Sequence, residues 1–460
     1  MTDRGLALLC DIGSTFTKLN AVDLAAKRLM AKSSAPTTAD DVSRGFLQAL
    51  DGLRQQLPQP AEFSLRLAAS SAAGGLRMVA IGLVRDLTGE AARLAALGAG
   101  ARVEAVFSQR LQPGDLQAIA RMAPDIILLV GGTDGGDDQV LPYNARQLAR
   151  SRLDAAVVVA GNREVSPAAV ALLQETGMEA VLAENVMKRL GETSVDDARR
   201  AIRRLFLQRI VRAKGLERLQ QQFALSIVMP TPVAVLQGLK LLAEVEGELL
   251  AVDVGGATTD VYSLASGAPS DDRLIPTGLR LPFAHRSVEA DLGMRSSASA
   301  IAARYQQQLD RAAGSRGVVA VDWHDWCQRL AAEPGWLPGN PIDAQCEQVL
   351  ARVAVQEAVN RHAGRLQPFV TPYGRSWLLW GKDLRRVGRL IGIGGILRHA
   401  KDPKAILAGA KWNDTQPDRL KPIDPQYLLD HDYVIASAGL LAEAAPECAL
   451  QLIRDSLRLL

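Results

Sequence analysis

Two short loops of the same design most strongly constrain how this chain can fold. Residues 11–18 read Asp-Ile-Gly-Ser-Thr-Phe-Thr-Lys, and residues 253–260 read Asp-Val-Gly-Gly-Ala-Thr-Thr-Asp. Each loop follows an apolar run typical of a buried strand, at 6–10 and at 249–252. The order in both cases is a strand, an acidic residue, a glycine turn, a group of hydroxyl residues and a return strand. This repetition predicts two halves of similar plan.

The residue types of both loops suit a phosphate group. Glycine permits a positive φ and a close approach of the backbone to a ligand, and successive N–H groups can then converge on an anion. Hydroxyl groups and a lysine ammonium add further donors. The predicted phosphate-binding residues are Gly13, Ser14, Thr15 and Lys18 in the first loop and Gly255, Gly256, Thr258 and Thr259 in the second, with Thr17 as a further hydroxyl.

An aspartate stands at the base of each loop, at Asp11 and Asp253. A carboxylate repels a bare phosphate, so these residues make sense if hydrated Mg²⁺ lies between carboxylate and phosphate. We therefore predict that they position the metal and act in catalysis. A single glycine turn with one aspartate is usually an ordinary β-turn, but two such loops with the same order of residues favour the phosphate site.

A third glycine turn ends the apolar run at 390–393 and contains Gly394 and Gly395. Such a turn lets the backbone pass close to a flat ligand such as a purine-ribose. A tight crossover from a strand to a helix would look the same.

With the segments 230–239 and 436–441, these motifs resemble the phosphate, adenosine and connecting-helix motifs of the actin, hexokinase and Hsp70 superfamily, in the same order. The resemblance implies an α/β fold, an actin-like ATPase with duplicated ribonuclease H-like domains, and ATP (or GTP) with Mg²⁺ between them. That superfamily usually places an acid or amide near the start of the first connecting helix to orient water. Here 229–232 contains no carboxylate and Gln237 lies two turns further, which predicts slow hydrolysis.

A narrower resemblance rests on the segments 287–295, 184–186 and 129–137, which are similar to the MutL/GlmL family. This family is unrelated to the mismatch-repair protein of the same name. The resemblance implies an ATP-dependent accessory or reactivating factor whose partner is an adenosylcobalamin-dependent carbon-skeleton mutase, such as glutamate (methylaspartate) mutase. Glu289 and Asp291, at the start of the next helix, are predicted to contact the ribose or the base.

Two other functions remain open from the residues alone. A small-molecule kinase of the same superfamily would need a catalytic aspartate, for which Asp40, Asp41 or Asp86 is available without a surrounding motif. An actin-like scaffold or assembly protein would form filaments that depend on nucleotide.

Composition limits the partners. The net charge is +3, from 53 basic and 50 acidic residues, so no field for a polyanion is expected and nucleic acid is not predicted as a ligand. No apolar run is long enough to cross a membrane. The cysteines are scattered without a Cys-x-x-Cys pair, which argues against a zinc or iron–sulfur site and fits a reducing cytoplasm; they are Cys10, Cys327, Cys346 and Cys448.

The rhythm of apolar runs predicts the domain organisation. Strands alternate with helices over 96–190, which indicates an inserted parallel α/β subdomain. Its Gly131–Asp138 loop is acidic and is expected to bind through a cation or to a protein. The Trp-rich segment 296–380 is either a peripheral subdomain that faces a partner or a homodimer mate, or a local small core. The remaining predicted ranges are 1–95 and 248–430 for the two halves, 191–247 for a helical connection, and 431–460 for C-terminal helices that return to the first half.

Overall fold

Strands and helices alternate through the residues that the computed structural model describes, which are 5–13, 15–38, 41–58, 61–71, 76–99, 101–189, 192–211, 216–278, 280–317, 321–371 and 374–460. The strands are β1 (Leu6–Ile12), β2 (Phe16–Asp23), β3 (Arg28–Pro36), β4 (Phe63–Ser70), β5 (Leu76–Gly82), β6 (Ala101–Ser108), β7 (Ile126–Leu129), β8 (Ala156–Val159), β9 (Ala180–Leu182), β10 (Ser226–Met229), β11 (Leu249–Val254), β12 (Thr259–Leu264), β13 (Leu274–Thr277), β14 (Ala284–Glu289), β15 (Arg365–Thr371), β16 (Gly374–Trp380), β17 (Arg389–Ile393), β18 (Gln426–Asp430) and β19 (Leu457–Leu459).

The helices connect these strands and cover the sheets. They are α1 (Val42–Arg54), α2 (Arg85–Ala99), α3 (Pro113–Met122), α4 (Val140–Ser151), α5 (Ser166–Glu175), α6 (Asp196–Val211), α7 (Leu216–Phe223), α8 (Thr231–Glu246), α9 (Ala298–Gly314), α10 (Trp323–Ala332), α11 (Pro341–His362), α12 (Gly395–His399), α13 (Pro403–Leu407), α14 (Ile435–Leu441) and α15 (Pro446–Ser456), with a 3-10 turn at Ala408–Ala410.

The first mixed sheet has the strand order β10-β4-β1-β2-β3. The hairpin strands β1, β2 and β3 are antiparallel to one another in turn, whereas β4 is parallel to β1 and β10 is parallel to β4. β1 is a central strand, buried from Ala7 to Ile12, and its sequence is therefore almost continuously apolar rather than alternating. Asp11 lies near the end of this strand, at the edge of the sheet where parallel strands present ligands.

The second mixed sheet has the order β14-β12-β11-β17-β18-β19. Its strands β14, β12 and β11 are antiparallel in turn, and β17 and β18 continue the sheet in the parallel sense. The first five strands thus repeat the order and direction of the first sheet. This repetition confirms the predicted fold class, an α/β chain with duplicated ribonuclease H-like domains.

A wholly parallel sheet with the order β6-β5-β7-β8-β9 is inserted in sequence between β4 and β10 of the first mixed sheet. Its middle strands β7 and β8 are buried along their whole length, as expected for strands with helices on both faces. The predicted inserted subdomain is therefore present. Its sheet includes β5, which begins at Leu76 inside the range 1–95 predicted for the first half, because β5 pairs with β6 and β7 rather than with β4.

The connecting helices α8 and α14 cross in close contact between the two mixed sheets. An added Cβ on Gly439 would lie 1.7 Å from the Ala234 carbonyl oxygen, and one on Gly238 would lie 2.5 Å from the Ile435 carbonyl oxygen. The two glycines therefore let the helix backbones touch. The C-terminal helix α15 packs into the same core through Cys448, Ala449, Leu452 and Ile453.

The tryptophans of the segment 296–380 form part of a core. Trp323 and Trp326 are buried in the same cluster as α9 and α11, and their rings meet edge-on with centroids 6.0 Å apart. Trp336 continues the stack, with its centroid 6.2 Å from that of Trp326. For these three residues the structure favours the local small core over a partner-facing surface.

A histidine pair, formed by half-buried His285 on β14 and buried His362 at the end of α11, lies beside β12. The rings stack with centroids 5.0 Å apart, and both ring nitrogens of His362 lie 2.8 Å from serine hydroxyls, those of Ser287 and Ser263. Burial lowers the pKa of both histidines, that of His285 to about 3, since a charged imidazole loses its hydration there.

Two further findings concern membrane-spanning helices and the cysteines. In the described ranges, no helix combines the length and the apolar character needed to cross a membrane. The four cysteines are all free and buried.

Candidate functional site

The first loop is a tight hairpin turn between β1 and β2. The Gly13 N–H donates to the Phe16 carbonyl oxygen over 3.0 Å, and an added Cβ on Gly13 would lie only 2.8 Å from that oxygen. A residue with a side chain would therefore distort the turn. Asp11 is buried at its base, while Ser14, one of the predicted phosphate ligands, lies outside the described residues.

The second loop repeats this turn between β11 and β12. The Gly255 N–H donates to the Thr258 carbonyl oxygen over 2.9 Å, and an added Cβ on Gly255 would lie 2.9 Å from the same oxygen. Asp253 occupies the position that Asp11 has in the first loop. The two predicted phosphate loops are therefore equivalent in backbone geometry as well as in sequence.

The structure brings the two loops face to face. A Cβ added to Gly256 would lie 3.2 Å from Thr15 Oγ1 and 3.5 Å from Arg295 Cγ. Backbone of the second loop thus meets a hydroxyl of the first loop directly, although the two are separated by most of the chain. A ligand held by both loops would bridge the two halves.

The third glycine turn lies beside the second loop. Ile393, at the end of β17, pairs with Asp253, and Gly394 has a φ of +116°. An added Cβ on Gly394 would lie 2.4 Å from the Val254 carbonyl oxygen, whereas one on Gly395 would meet nothing within 4 Å. Gly394 is therefore required for packing, and Gly395 is the open position of the predicted adenosine turn.

Two of the predicted hydroxyl residues, Thr259 and Thr17, lie in the interior of the protein. Thr259 is fully buried and donates to the Leu292 carbonyl oxygen over 2.7 Å. Thr17, at the equivalent position, is also fully buried, with its hydroxyl 2.9 Å from that of Thr37. Because successive residues of a strand point to opposite faces, these two threonines point into the protein and stabilise the loops from its interior.

Lys18 lies over the base of the first loop. Its Nζ is 3.7 Å from Asp11 Oδ2 and 3.4 Å from the centroid of the Tyr433 ring, a cation–π contact. Burial lowers the pKa of Lys18, and the carboxylates of Asp11, Asp253 and Asp430 oppose that decrease. The side chain remains 30% exposed, so its charge is available to a ligand in the cleft.

Asp253 carries the most perturbed carboxylate of the site. Burial first, and then the charges of Asp260 and Asp11, raise its pKa to about 7, while Lys18 opposes the increase. A carboxylate in this setting is poorly compensated by its neighbours, and a cation close to it would restore the ionised form. Among the described residues, no three His, Cys, Asp or Glu side chains form a metal site, so a magnesium ion here would need oxygen ligands from phosphate and water as well.

Three residues that sequence reasoning did not single out complete the site. Thr231, the first residue of α8, donates to Asp11 Oδ1 over 2.6 Å; it occupies the place where the superfamily resemblance implies an acid or amide. Tyr433 has a φ of +57° and lies under Lys18. Asp430 is buried and caps α14 by accepting from the Val434 and Ile435 N–H groups. Only Thr231 has a sequence signal, its position at the start of the connecting helix.

Glu289 and Asp291 lie behind the second loop and are held by Arg361. The Arg361 guanidinium donates to Glu289 Oε2 over 2.6 Å and to both oxygens of Asp291 over 2.6 and 2.7 Å. This contact lowers the pKa of Asp291, whereas burial raises that of Glu289. Glu289 pairs with Thr259 across the strands, so both acids are next to the loop, with their charge balanced by Arg361.

Two aspartates of the acidic loop, Asp134 and Asp137, accept hydrogen bonds from other residues of the inserted subdomain. Asp134 Oδ1 accepts from the Arg163 N–H and from the Asn185 amide over 3.1 and 2.9 Å. Asp137 Oδ1 accepts from the Val140 N–H over 3.0 Å at the start of α4. These bonds shape the Gly131–Asp138 loop, and its predicted ligand stays a prediction.

Comparison with known proteins decides the family. A model of the MutL protein family matches residues 7–457. The chain belongs to the MutL protein family. The Protein MutL of Clostridium tetanomorphum is 40% identical over 464 residues, which cover 98% of each sequence. The predicted family is thereby confirmed.

Solved structures similar to this MutL-family chain are distant in sequence. A nucleotide-free acetone carboxylase gives a TM-score of 0.40 at 12% identity, over 95% of this chain and 70% of that one. A nucleotide-free diol dehydratase-reactivating factor gives 0.38 at 12% identity, over 96% and 100%. Such scores carry no information about ligands, so the function is inferred from the site and the family.

Proposed function

We propose that this chain binds Mg·ATP between its two halves. The observation that supports the proposal is the meeting of two equivalent glycine turns, with Thr15 beside Gly256, the buried Asp11 behind the first turn and the half-buried Asp253 behind the second. Two donor loops on opposite sides suit a polyphosphate better than a single phosphate does, because each loop can hold a different phosphate group.

The residues have distinct parts in this proposal. The N–H groups around Gly13, Gly255 and Gly256 and the ammonium of Lys18 would hold the phosphates, and the open turn at Gly395 would contact the adenosine. Mg²⁺ supplies neutralisation of the phosphate charge when it is bound. Asp11 and Asp253 are the carboxylates available to its water ligands, and the hydrogen bond from Thr231 orients Asp11.

Slow hydrolysis is part of the same proposal. The start of α8 offers Thr231, whose hydroxyl is already donated to Asp11. A hydroxyl in this role is a weak proton acceptor compared with a carboxylate, so activation of water is inefficient. Slow turnover suits a switch in which the ATP and ADP states differ in how the two halves close.

We further propose that the chain is an accessory or reactivating factor for an adenosylcobalamin-dependent carbon-skeleton mutase such as glutamate mutase. Membership of the MutL family supports this role, which the family resemblance implies. The nucleotide would set the relative position of the halves, and that position would set the affinity for the mutase. A difference of a few kcal/mol between two states is enough to shift such an equilibrium.

Calorimetry with Mg·ATP tests the nucleotide site. Asp11→Ala and Asp253→Ala should each abolish measurable binding, whereas Asp138→Ala, an exposed aspartate of the inserted subdomain, should bind as the wild type does. Unchanged affinity in the first two variants would refute the site.

A reactivation assay tests the role. A mutase from the same organism is inactivated during turnover, the chain is added with ATP, and recovered activity is measured. No recovery by a chain that binds ATP would refute the role and leave the nucleotide site standing. Transfer of labelled phosphate to a small molecule would favour the kinase, and ATP-dependent sedimentation of large particles would favour the scaffold.

A further inference from the structure

A cavity separate from the paired loops lies where the inserted subdomain, α8 and β14 meet. Its volume is about 220 Å³, well above the ~10–15 Å³ that one water needs. It is large enough for a small ion with several waters. Residues of α2, α6, α8 and the β14 region form its walls, among them Asp196, Arg199, Arg200, Arg203, Lys240 and Arg286.

The charged residues of this wall are mostly cationic. Four arginines and Lys240 line the cavity, against Asp196 as the acidic residue of the lining. Asp196 is paired with Arg199, whose Nη1 donates to it over 2.8 Å. Arg203 Nη2 donates to the Val228 carbonyl oxygen over 3.0 Å, a neutral partner. Arg200 is likewise paired with Asp197 and Arg286 with Asp260, so the excess of positive charge at the cavity comes from Arg203 and Lys240, in a chain whose total charge is close to balanced.

Two of the arginines have donors without a partner. Arg286 is only 4% exposed, and its Nε and Nη2 both donate to Asp260 Oδ1, over 2.9 and 2.6 Å. Within the described part of the chain, Arg286 Nη1 and Arg199 Nε are buried and lack any hydrogen-bond partner. Both nitrogens are enclosed by protein, and a buried donor left unpaired is costly, so the region beside the cavity has more donors than acceptors.

We propose that this basic cavity is an anion site that binds a small molecule through a phosphate or carboxylate group. Guanidinium groups suit both oxyanions because their planar donors match the geometry of the oxygens, and the Lys240 ammonium adds a point charge. Burial and the neighbouring Arg199 lower the pKa of Lys240, and the carboxylates of Asp196 and Glu244 oppose that decrease without cancelling it.

The anion site goes beyond the proposed nucleotide site and is connected to it by one arginine. Arg286 faces the cavity and also holds Asp260, whose other oxygen accepts from Thr258 Oγ1 of the second loop over 3.0 Å. An anion that engaged Arg286 would therefore act on a side chain that supports the loop. The helix α8 provides a second connection, because Lys240 and Thr231 lie on it.

Titration calorimetry with inorganic phosphate at constant ionic strength tests the proposal. Arg203→Gln and Lys240→Gln, which change different helices, should each weaken phosphate binding about tenfold, as expected when one charge-assisted hydrogen bond is lost. Arg204→Gln is the matched control, since Arg204 is an exposed neighbour on α6 that does not line the cavity. Succinate in the same titration distinguishes a carboxylate ligand from a phosphate ligand, and binding of either supports the site.

A Lys18→Gln variant separates the two sites. Phosphate binding that is weakened by Lys18→Gln and unaffected by Arg203→Gln and Lys240→Gln belongs to the paired loops and overturns the proposal, as does the absence of binding of both anions. Should the cavity variants fail to fold, tungstate soaked into crystals of the wild type provides the second measurement. An anomalous peak beside Arg203 and Lys240 is expected, and its absence from the cavity contradicts the anion site.

Discussion

Replacing Gly439 with alanine is expected to force the connecting helices α8 and α14 apart and to destabilise the chain. The new Cβ would lie 1.7 Å from the Ala234 carbonyl oxygen, 2.6 Å from its carbonyl carbon and 3.0 Å from the Gly238 nitrogen. These are backbone atoms, which cannot rotate away as a side chain can. An ordinary contact begins near 3.4 Å, so the helices must separate locally by about 1.5 Å.

The expected loss in the free energy of unfolding of Gly439→Ala follows from two opposing effects. Overpacking of this kind typically costs about 1–3 kcal/mol, and the contact here is at the severe end. Alanine also favours the helix over glycine by about 1 kcal/mol. The net loss should therefore be about 2 kcal/mol, with a smaller loss for Gly238→Ala, whose Cβ would lie 2.5 Å from the nearest carbonyl oxygen.

Urea unfolding followed by circular dichroism measures this loss, with Gly314→Ala as the matched control. Gly314 ends α9, and an added Cβ there would meet nothing within 4 Å, so the control isolates the gain in helix propensity. Hydrogen exchange should show faster exchange in α8 and α14, and Mg·ATP should bind more weakly because these helices join the two halves. A Gly439→Ala chain as stable as the Gly314→Ala chain would refute the steric reasoning.

Three further outcomes are expected. Thr231→Val should weaken Mg·ATP binding in calorimetry by about 1–2 kcal/mol because it removes the hydrogen bond to Asp11, and Thr231→Ser should retain it; equal binding by both variants would contradict this. Gly394→Ala should lower the urea midpoint, since its φ is +116° and its Cβ would meet a backbone oxygen at 2.4 Å, whereas Gly395→Ala should leave the midpoint unchanged. Below pH 6.5 the unfolded chain binds protons that the folded histidine pair does not, because burial lowers the folded pKa of both residues, that of His285 to about 3, so stability should fall as the pH decreases from 6.5 towards 3, by about 2 kcal/mol at pH 5 for His285. His362→Asn should reduce this loss, and identical pH profiles for variant and wild type would count against it.

The backbone plan of the site could be predicted from sequence because it depends on local patterns. A glycine turn after a buried strand marks each loop, and the order of the motifs implies that they face one another. Side chains alternate between the two faces of a strand, and the prediction of Thr259 as a phosphate ligand did not take this alternation into account. Thr258 and Thr259 are consecutive, so only one of them can face the cleft, and the structure buries Thr259.

The remaining parts of the site depend on contacts between distant segments. No sequence motif predicts the contact of Tyr433 with Lys18 or the contact of Arg361 with Glu289. Each is placed by the packing of helices against the sheets, which periodicity alone does not determine. The extent of the inserted sheet also depends on distant segments. β5 pairs with β7 of that sheet instead of with β4, the preceding strand in sequence, which belongs to the first mixed sheet.

The duplicated loops differ in charge at one equivalent position, and this difference predicts unequal parts in the proposed metal binding. Asp11 pairs across its hairpin with Lys18, whereas Asp253 pairs across its hairpin with Asp260. In the first loop the opposite charge of the lysine compensates the aspartate. In the second loop burial and then the like charge of Asp260 raise the pKa of Asp253, and the Asp260 charge is compensated from the opposite side by Arg286. A cation that enters the cleft therefore gains most from Asp253, which predicts that Asp253→Asn weakens the dependence of ATP binding on Mg²⁺ more than Asp11→Asn does. Titration of Mg²⁺ at fixed ATP compares the two variants, and an equal effect would show that the difference in hairpin pairing does not control the metal.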